Sequence, residues 1–206
     1  PEATVNMVAP DKARPSDIHI IAAGSPDFIN DAGTWKIVVG REVIVPVMKE
    51  SDPCYSLISA RGISPAEFSR IISSDASLTW GKLLGTDSNI PVTAIIPDDN
   101  AALASIAGFT ALDPALVTAV RQPKGTAATS LSGAKPGTVV FCRLSDITDR
   151  TGQEFAGGIR IVPVDMNGNA KSDYFEQFYA GFDSFNRGVY IGKYPKSLCN
   201  NIYAAS

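Results

Sequence analysis

The sequence predicts an α/β fold with a mostly parallel sheet flanked by helices. Apolar segments rich in β-branched residues, typical of buried strands, occur at 17–24, 35–48, 90–96, 138–143 and 158–164. Segments with helical periodicity or helix-capping residues occur between several of them, and this alternation is typical of parallel α/β sheets. Hydrophobic residues make up 45% of the 206 residues and charged residues 19%, which is enough apolar side chain for a folded core.

The N-terminal elements are predicted to be strands. Residues 17–24 (DIHIIAAG) are continuously apolar apart from Asp17 and His19, and they end at a turn containing Gly24, Ser25 and Pro26. Residues 35–48 are dominated by valine and isoleucine, so they predict two strands or one bent strand.

The clearest helix signal begins at Ser64. Serine at the N-cap, Pro65 at the first helical position and Glu67 at the third form a capping box. Phe68 and Ile71 then begin an apolar stripe at helical spacing. This pattern predicts a helix from residue 65 to about residue 72.

The middle of the chain continues the alternation. A strand at 90–96 leads into the acidic turn 97–100 and a helix carrying Leu103, Ile106 and Phe109. Asp113 and proline at 114 predict the start of another helix, while 121–137 has a loop-like composition.

The C-terminal third begins with two predicted strands, at 138–143 and 158–164. Aromatic residues then recur at helical spacing between Phe175 and Phe185. The tail, 187–206, predicts a short strand-like piece and a terminal helix.

Charge and composition exclude several classes of protein. A net charge of −3 and a pI near 5.1 argue against nucleic acid and anionic membranes as partners. No apolar run reaches the roughly 18 residues that a membrane-spanning helix needs. Residues 1–10 lack the features of a signal peptide, so we expect the sequence to begin after a processing point or within a longer product. Cys54, Cys142 and Cys199 lack zinc-site spacing and allow either one disulfide with a free thiol or three buried thiols.

Two motifs resemble a known family. GISPAEFSRII at 62–72 and LTWGKLLG at 78–85 are similar to the phosphate-binding periplasmic protein family, in which a helix leads into such a turn at the start of the second lobe. Residues 17–25, 42–48 and 136–141 are similar to the first-lobe strand and loop, the crossing strand and the returning segment of that family. The resemblance covers about residues 17–145.

The resemblance implies a two-lobed type II periplasmic-binding-protein-like fold, each lobe a mixed, mostly parallel sheet flanked by helices. Lobe one would comprise 1–46 and 138–206, incomplete at its N-terminus, and lobe two 47–137. It also implies a periplasmic or cell-surface solute-binding protein, not an enzyme, which holds a small polar solute or anion and works with membrane transporter subunits of a phosphate-uptake-like ABC system.

Two turns that follow predicted strands supply the candidate ligand-binding residues, because such turns present backbone amides and helix N-termini to ligands. These residues are Ala23, Gly24, Ser25, Asp98, Asp99 and Asn100. Where the family carries a cationic, hydroxyl-rich loop, this chain has two adjacent carboxylates, which would repel phosphate. The alternative is that Asp99 or Asn100 caps the helix that follows.

A calcium loop is the second candidate site. Oxygen-bearing side chains follow the spacing of an EF-hand-type loop, with a backbone carbonyl at the seventh position, from Asp165 through Asn167, Asn169, Lys171 and Asp173 to Glu176. Ca²⁺ is therefore the candidate cofactor, and a calcium-stabilised structural or surface module that has lost its ligand site is the alternative function. The competing interpretation is a turn followed by a helix cap at Asp173 and Glu176.

Catalytic motifs give little support to an enzyme. His19 is the single histidine and lies in an apolar strand, which leaves no partner set for Ser-His-Asp or Cys-His catalysis. The sequence has no GxSxG, P-loop or GxGxxG motif. A hydrolase is the least supported of the three functions considered.

Overall fold

The computed structural model describes residues 19–22, 35–73, 77–123, 125, 127–149, 154–171 and 173–205. The chain divides into two compact units. The smaller comprises residues 1–42 and 200–206, and the larger comprises 43–199. The predicted boundaries of lobes one and two stay a prediction.

The larger unit is built on a mixed sheet. Its strands are the second part of β2 (Lys36–Lys49), β3 (Thr93–Pro97), β4 (Val120–Gln122), β5 (Thr138–Arg143) and β6 (Ile159–Ile161). They are arranged in the order β2-β5-β3-β4, with β6 also paired to β2. Strand β3 is parallel to β4 and β5, whereas β2 is antiparallel to β5 and β6.

The prediction of a mostly parallel sheet is therefore too strong, because the described pairs that involve β2 with β5 and β6 are antiparallel. Two successive strands are parallel only where the helix between them returns the chain to the edge of the sheet at which the first strand began. Such helices separate β3, β4 and β5. The stretch predicted as two strands or one bent strand forms the single strand Lys36–Lys49.

Six α-helices occur among the described residues: α1 (Tyr55–Arg61), α2 (Pro65–Ile72), α3 (Trp80–Leu84), α4 (Asn100–Thr110), α5 (Ala127–Gly133) and α6 (Phe182–Tyr190). Short 3₁₀ segments cover Pro114–Leu116, Leu144–Ile147, Tyr174–Ala180 and Lys196–Leu198. The predicted helix at Asp113 is only one such turn, and the chain then enters β4. The predicted loop 121–137 includes α5.

The structure confirms the predicted helix α2 and its capping box. The Ser64 hydroxyl accepts a hydrogen bond from the Glu67 amide, and the Glu67 carboxylate accepts one from the Ser64 amide at 2.9 Å. Phe68 and Ile71 are fully buried in the core, where the Phe68 ring contacts that of Phe141 on β5. A capping box and a buried apolar stripe together specify this helix.

The motifs that carry the family resemblance meet in the core of the larger unit. Trp80 is fully buried, and its indole Nε1–H donates to the Gly137 carbonyl at 3.0 Å. The Gly137 amide donates to Asp52 Oδ2 at 2.7 Å. Gly137 has a φ of 84°, a left-handed conformation that favours glycine. This junction joins the segment after β2, helix α3 and the start of β5.

The smaller unit contains an antiparallel pair. Strand β1 (His19–Ala22) pairs with β7 (Cys199–Ala205), so that His19 lies opposite Ala205. Strand β7 also neighbours β2, whose first residues belong to this unit. Residues 199–205 therefore form a strand, and the prediction of a terminal helix is wrong. Cys54, Cys142 and Cys199 are present as thiols, and Cys54 and Cys142 are buried, as in the second of the two predicted alternatives, whereas Cys199 is only partly buried.

Candidate functional site

Four charged side chains gather where the parallel strands of the larger unit end. Asp98 and Asp99 follow β3, Arg121 lies in β4, and Arg143 is the last residue of β5. Because β3 is parallel to both β4 and β5, the carboxyl ends of these strands meet at one edge of the sheet. Carboxyl edges of this kind are where α/β proteins commonly bind ligands.

Asp99 is both a helix cap and a partner of Arg143. Its Oδ1 accepts a hydrogen bond from the Ala101 amide at 3.0 Å, at the N-terminus of α4. Its Oδ2 lies 2.7 Å from Arg143 Nη2, and the Asp99 side chain is only 10% exposed. The interpretation of Asp99 as a cap is therefore confirmed, and the ion pair ties α4 to the end of β5.

Asp98 points toward solvent. Its side chain is 68% exposed, and its Oδ1 lies 4.0 Å from Arg121 Nη1. Its backbone amide donates to the Gln122 carbonyl at 2.7 Å, which fixes the turn against the end of β4. An exposed ion pair of this kind contributes about 0–1 kcal/mol to stability, so both groups remain able to exchange partners with a solute. Asn100 is the first residue of α4.

The two arginines change the electrostatic prediction made from sequence. The turn 97–100 alone carries two carboxylates, but the folded edge balances them with two guanidinium groups. Sequence analysis missed both arginines. Arg143 could have been found from the sequence, because it is the last residue of the predicted strand 138–143. If that strand runs parallel to the predicted strand 90–96, both strands end at the same edge of the sheet.

The other turn proposed for ligand binding cannot be placed against this edge. Ala23, Gly24 and Ser25 lie outside the described residues, so their role stays a prediction.

The candidate calcium loop is held by its own hydrogen bonds. Asp165 is 2% exposed, and its two carboxylate oxygens accept hydrogen bonds from the Gly168 and Ala170 amides at 2.7 and 2.8 Å. Asp173 Oδ2 accepts from the side-chain amides of Asn167 and Asn169 at 2.7 and 2.8 Å. These are the bonds of a tight polar turn.

The loop bends sharply at Ala170. Ala170, at the sixth position of the calcium pattern, has a φ of 57°, so alanine adopts the left-handed turn for which glycine is usual. Lys171 follows at the seventh position, and its backbone amide donates to Asn169 Oδ1 at 2.9 Å. Glu176 lies in the 3₁₀ segment Tyr174–Ala180. Within the described ranges, no group of three or more His, Cys, Asp or Glu side chains is arranged to hold a metal ion. The geometry gives the calcium alternative no support.

Another surface of the larger unit forms an open groove of about 760 Å³. Phe155 and Phe182 line it with rings 5.5 Å apart, together with Arg160 and Arg187. Arg160 is paired with Glu50 at 2.9 Å, and Arg187 with Asp183 at 3.1 Å. The groove therefore offers aromatic surface, with both of its guanidinium groups in ion pairs.

None of the helices in the described part of the chain has the length and apolar character required to span a bilayer. No protein-family model matches the sequence, and no curated protein matches it.

Solved structures that are similar in fold to this chain include two binding proteins. One from Clostridium perfringens, named as a phosphate ABC transporter substrate-binding protein with bound phosphate, aligns with a TM-score of 0.54 at 12% identity. The other, named as a possible phosphate binding protein from Planctomyces limnophilus, aligns with a TM-score of 0.57 at 9% identity. Each alignment covers 84% of this chain but only 58% and 55%, respectively, of the neighbour's length. The chain is thus a mixed α/β protein similar in fold to binding proteins of phosphate transport systems.

Proposed function

We propose that the chain is part of an extracytoplasmic solute-binding protein, located in the periplasm or at the cell surface, which delivers a small polar solute to membrane transporter subunits of an ABC-type system. The observation that carries the proposal is the gathering of Asp98, Asp99, Arg121 and Arg143 at the carboxyl edge of β3, β4 and β5. The fold shared with two proteins named for phosphate binding supports it.

The proposal includes two lobes that close on the solute. Lobe one is residues 1–46 with 138–206, and lobe two is residues 47–137, so the chain crosses between them near Val45 and Thr138. The turn containing Ala23, Gly24 and Ser25 and the turn 98–100 both stay candidate ligand contacts. The role is binding and not catalysis, in keeping with the structural neighbours, which are named as binding proteins.

Tight phosphate binding is not part of the proposal. Each arginine at the edge already has a carboxylate partner, at 2.7 Å for Arg143 and 4.0 Å for Arg121. A phosphate dianion would have to displace Asp99 or approach the exposed Asp98, and like charges repel in a partly desolvated site. Calorimetric titration of inorganic phosphate at neutral pH should therefore give no sub-micromolar binding.

The ligand is best sought with a panel of solutes in a thermal-shift assay. A bound solute at about 100 times its Kd stabilises the folded state by about 2.7 kcal/mol through mass action. For a chain of this size that is a rise in Tm of roughly 5–10 °C. The panel should include sugars, amino acids, polyamines and oxyanions, each at matched ionic strength.

Matched variants test where the solute binds. Asp98→Asn should abolish most of the shift caused by an active solute, whereas Asp87→Asn, a change at another exposed aspartate, should leave it intact. A panel in which no solute raises the Tm would contradict the proposal. A shift that both variants retain would show that the solute binds elsewhere.

A further inference from the structure

The Asp99 carboxylate is held in the way a bound anion would be held. One oxygen accepts from a backbone amide at the N-terminus of the 11-residue helix α4, and the other accepts from Arg143, which lies 44 positions further along the chain. The side chain is nine-tenths buried, since only 10% of it is exposed. Two structural elements, one helix and one strand, thus converge on a single carboxylate.

Both of these elements attract anions for general physical reasons. The N-terminus of a helix carries unsatisfied N–H groups and the positive end of the helix dipole. A guanidinium group forms strong charge-assisted hydrogen bonds with carboxylate and phosphate oxygens. Here both donors act on Asp99, so a free oxyanion that reaches this edge meets a site whose donors are already engaged.

We propose that the edge contains an anion site filled by the chain's own Asp99 carboxylate, and that this internal occupant excludes small oxyanions. The solute that binds beside it is then neutral or cationic and faces the exposed carboxylate of Asp98. The inference rests on the proposed function only for the idea that this edge meets a solute. The internal occupation of the site stands on the geometry of Asp99, Ala101 and Arg143 alone.

Removing the carboxylate tests the inference directly. Asp99→Gly deletes the side chain that acetate resembles, and glycine is among the residues that helix N-caps tolerate. Acetate should raise the Tm of Asp99→Gly above its value in chloride of equal ionic strength, and should not raise that of the wild type. The double variant Asp99→Gly/Arg143→Gln should show no such rise.

Inorganic phosphate forms a second arm of the experiment. Because the vacated donors form charge-assisted hydrogen bonds, Asp99→Gly should bind phosphate at least about tenfold more tightly than the wild type in calorimetry. Circular dichroism verifies that the variant is folded. If the glycine variant does not fold, Asp99→Ala, which also vacates both donors, takes its place in every arm at a lower temperature.

The outcomes separate this inference from the proposed function. Equal responses of wild type and Asp99→Gly to acetate, or no response from the folded variant to either anion, would overturn the internal occupation of the site. Neither result depends on finding the natural solute. A failed solute panel would count against solute binding and leave the response to acetate unaffected.

Discussion

Gly137→Ala should be among the most destabilising single changes in the larger unit. A Cβ at this position would lie 2.7 Å from Ile90 Cγ2 and 2.9 Å from Trp80 Nε1, and closer still to the Pro91 carbonyl oxygen. Relief would require the start of β5 to move, which would lengthen the 3.0 Å bond from Trp80 and the 2.7 Å bond to Asp52.

The expected loss can be assembled from these parts. A left-handed φ costs a non-glycine residue about 1–2 kcal/mol. Weakening two hydrogen bonds adds about 1–2 kcal/mol, and the residual steric strain brings the total to about 3–5 kcal/mol. Urea unfolding, followed by circular dichroism, measures this change in the free energy of unfolding.

Gly85→Ala is the matched control. Gly85 ends α3 with a φ of 71°, but a Cβ there would meet no atom within 4 Å. The control therefore carries the backbone strain of about 1–2 kcal/mol without the steric conflict. Equal losses in Gly137→Ala and Gly85→Ala would refute the argument that close packing around Trp80 requires glycine at 137.

Two further predictions concern pH and calcium. Burial, which removes water from the charged form, raises the pKa of Tyr194 well above its ordinary value of 10.0, and its hydroxyl donates to the Ile44 carbonyl at 2.8 Å. The unfolded chain therefore loses this proton at a lower pH than the folded chain does, so the wild-type Tm should fall as the pH rises above about 10. Tyr194→Phe, which lacks this proton, should show a shallower fall of Tm over the same pH series. Identical slopes of Tm against pH in the two proteins would contradict the prediction. Calcium should leave the Tm unchanged relative to chelator, because Asp165 and Asp173 already accept hydrogen bonds within their loop. A rise that Glu176→Gln abolishes would instead establish the metal site.

The parts of the fold that the sequence predicted are those specified by local chemistry. Helix α2 follows from a capping box at Ser64 and a stripe that begins at Phe68, all within nine residues. Helix α5 was missed because four of its seven residues, AATSLSG, are Thr, Ser or Gly, which are weak helix formers and are common in loops. Contacts from a distant strand help to define it, since Lys49 Nζ donates to the Ser132 carbonyl at 3.0 Å.

Strand β4 shows the opposite error. Asp113 does begin a helical turn, and its carboxylate caps it by accepting from the Ala115 amide at 2.9 Å. The turn does not continue as a helix, because Val120 pairs with Ile95 of the parallel strand β3. Tertiary pairing overrode a local start signal that carries no information about where a helix ends.

The candidate site was predicted in part for the same reason. The cap at Asp99 is a local feature and was among the interpretations of the sequence. Its pairing with Arg143 depends on the parallel arrangement of β3 and β5, which brings together residues 44 positions apart. A charge estimate from the turn alone therefore found excess negative charge where the folded edge is balanced.

Amide NMR spectra of the ¹⁵N-labelled protein, titrated with the solute panel, test the central claim most directly. Solute binding at the carboxyl edge predicts that the largest chemical-shift changes fall on Asp98, Asn100 and Arg121, and that they saturate with added solute. Changes confined to residues of the groove beside Phe155 and Phe182, or no change with any solute, would contradict the proposal that this edge binds the transported solute.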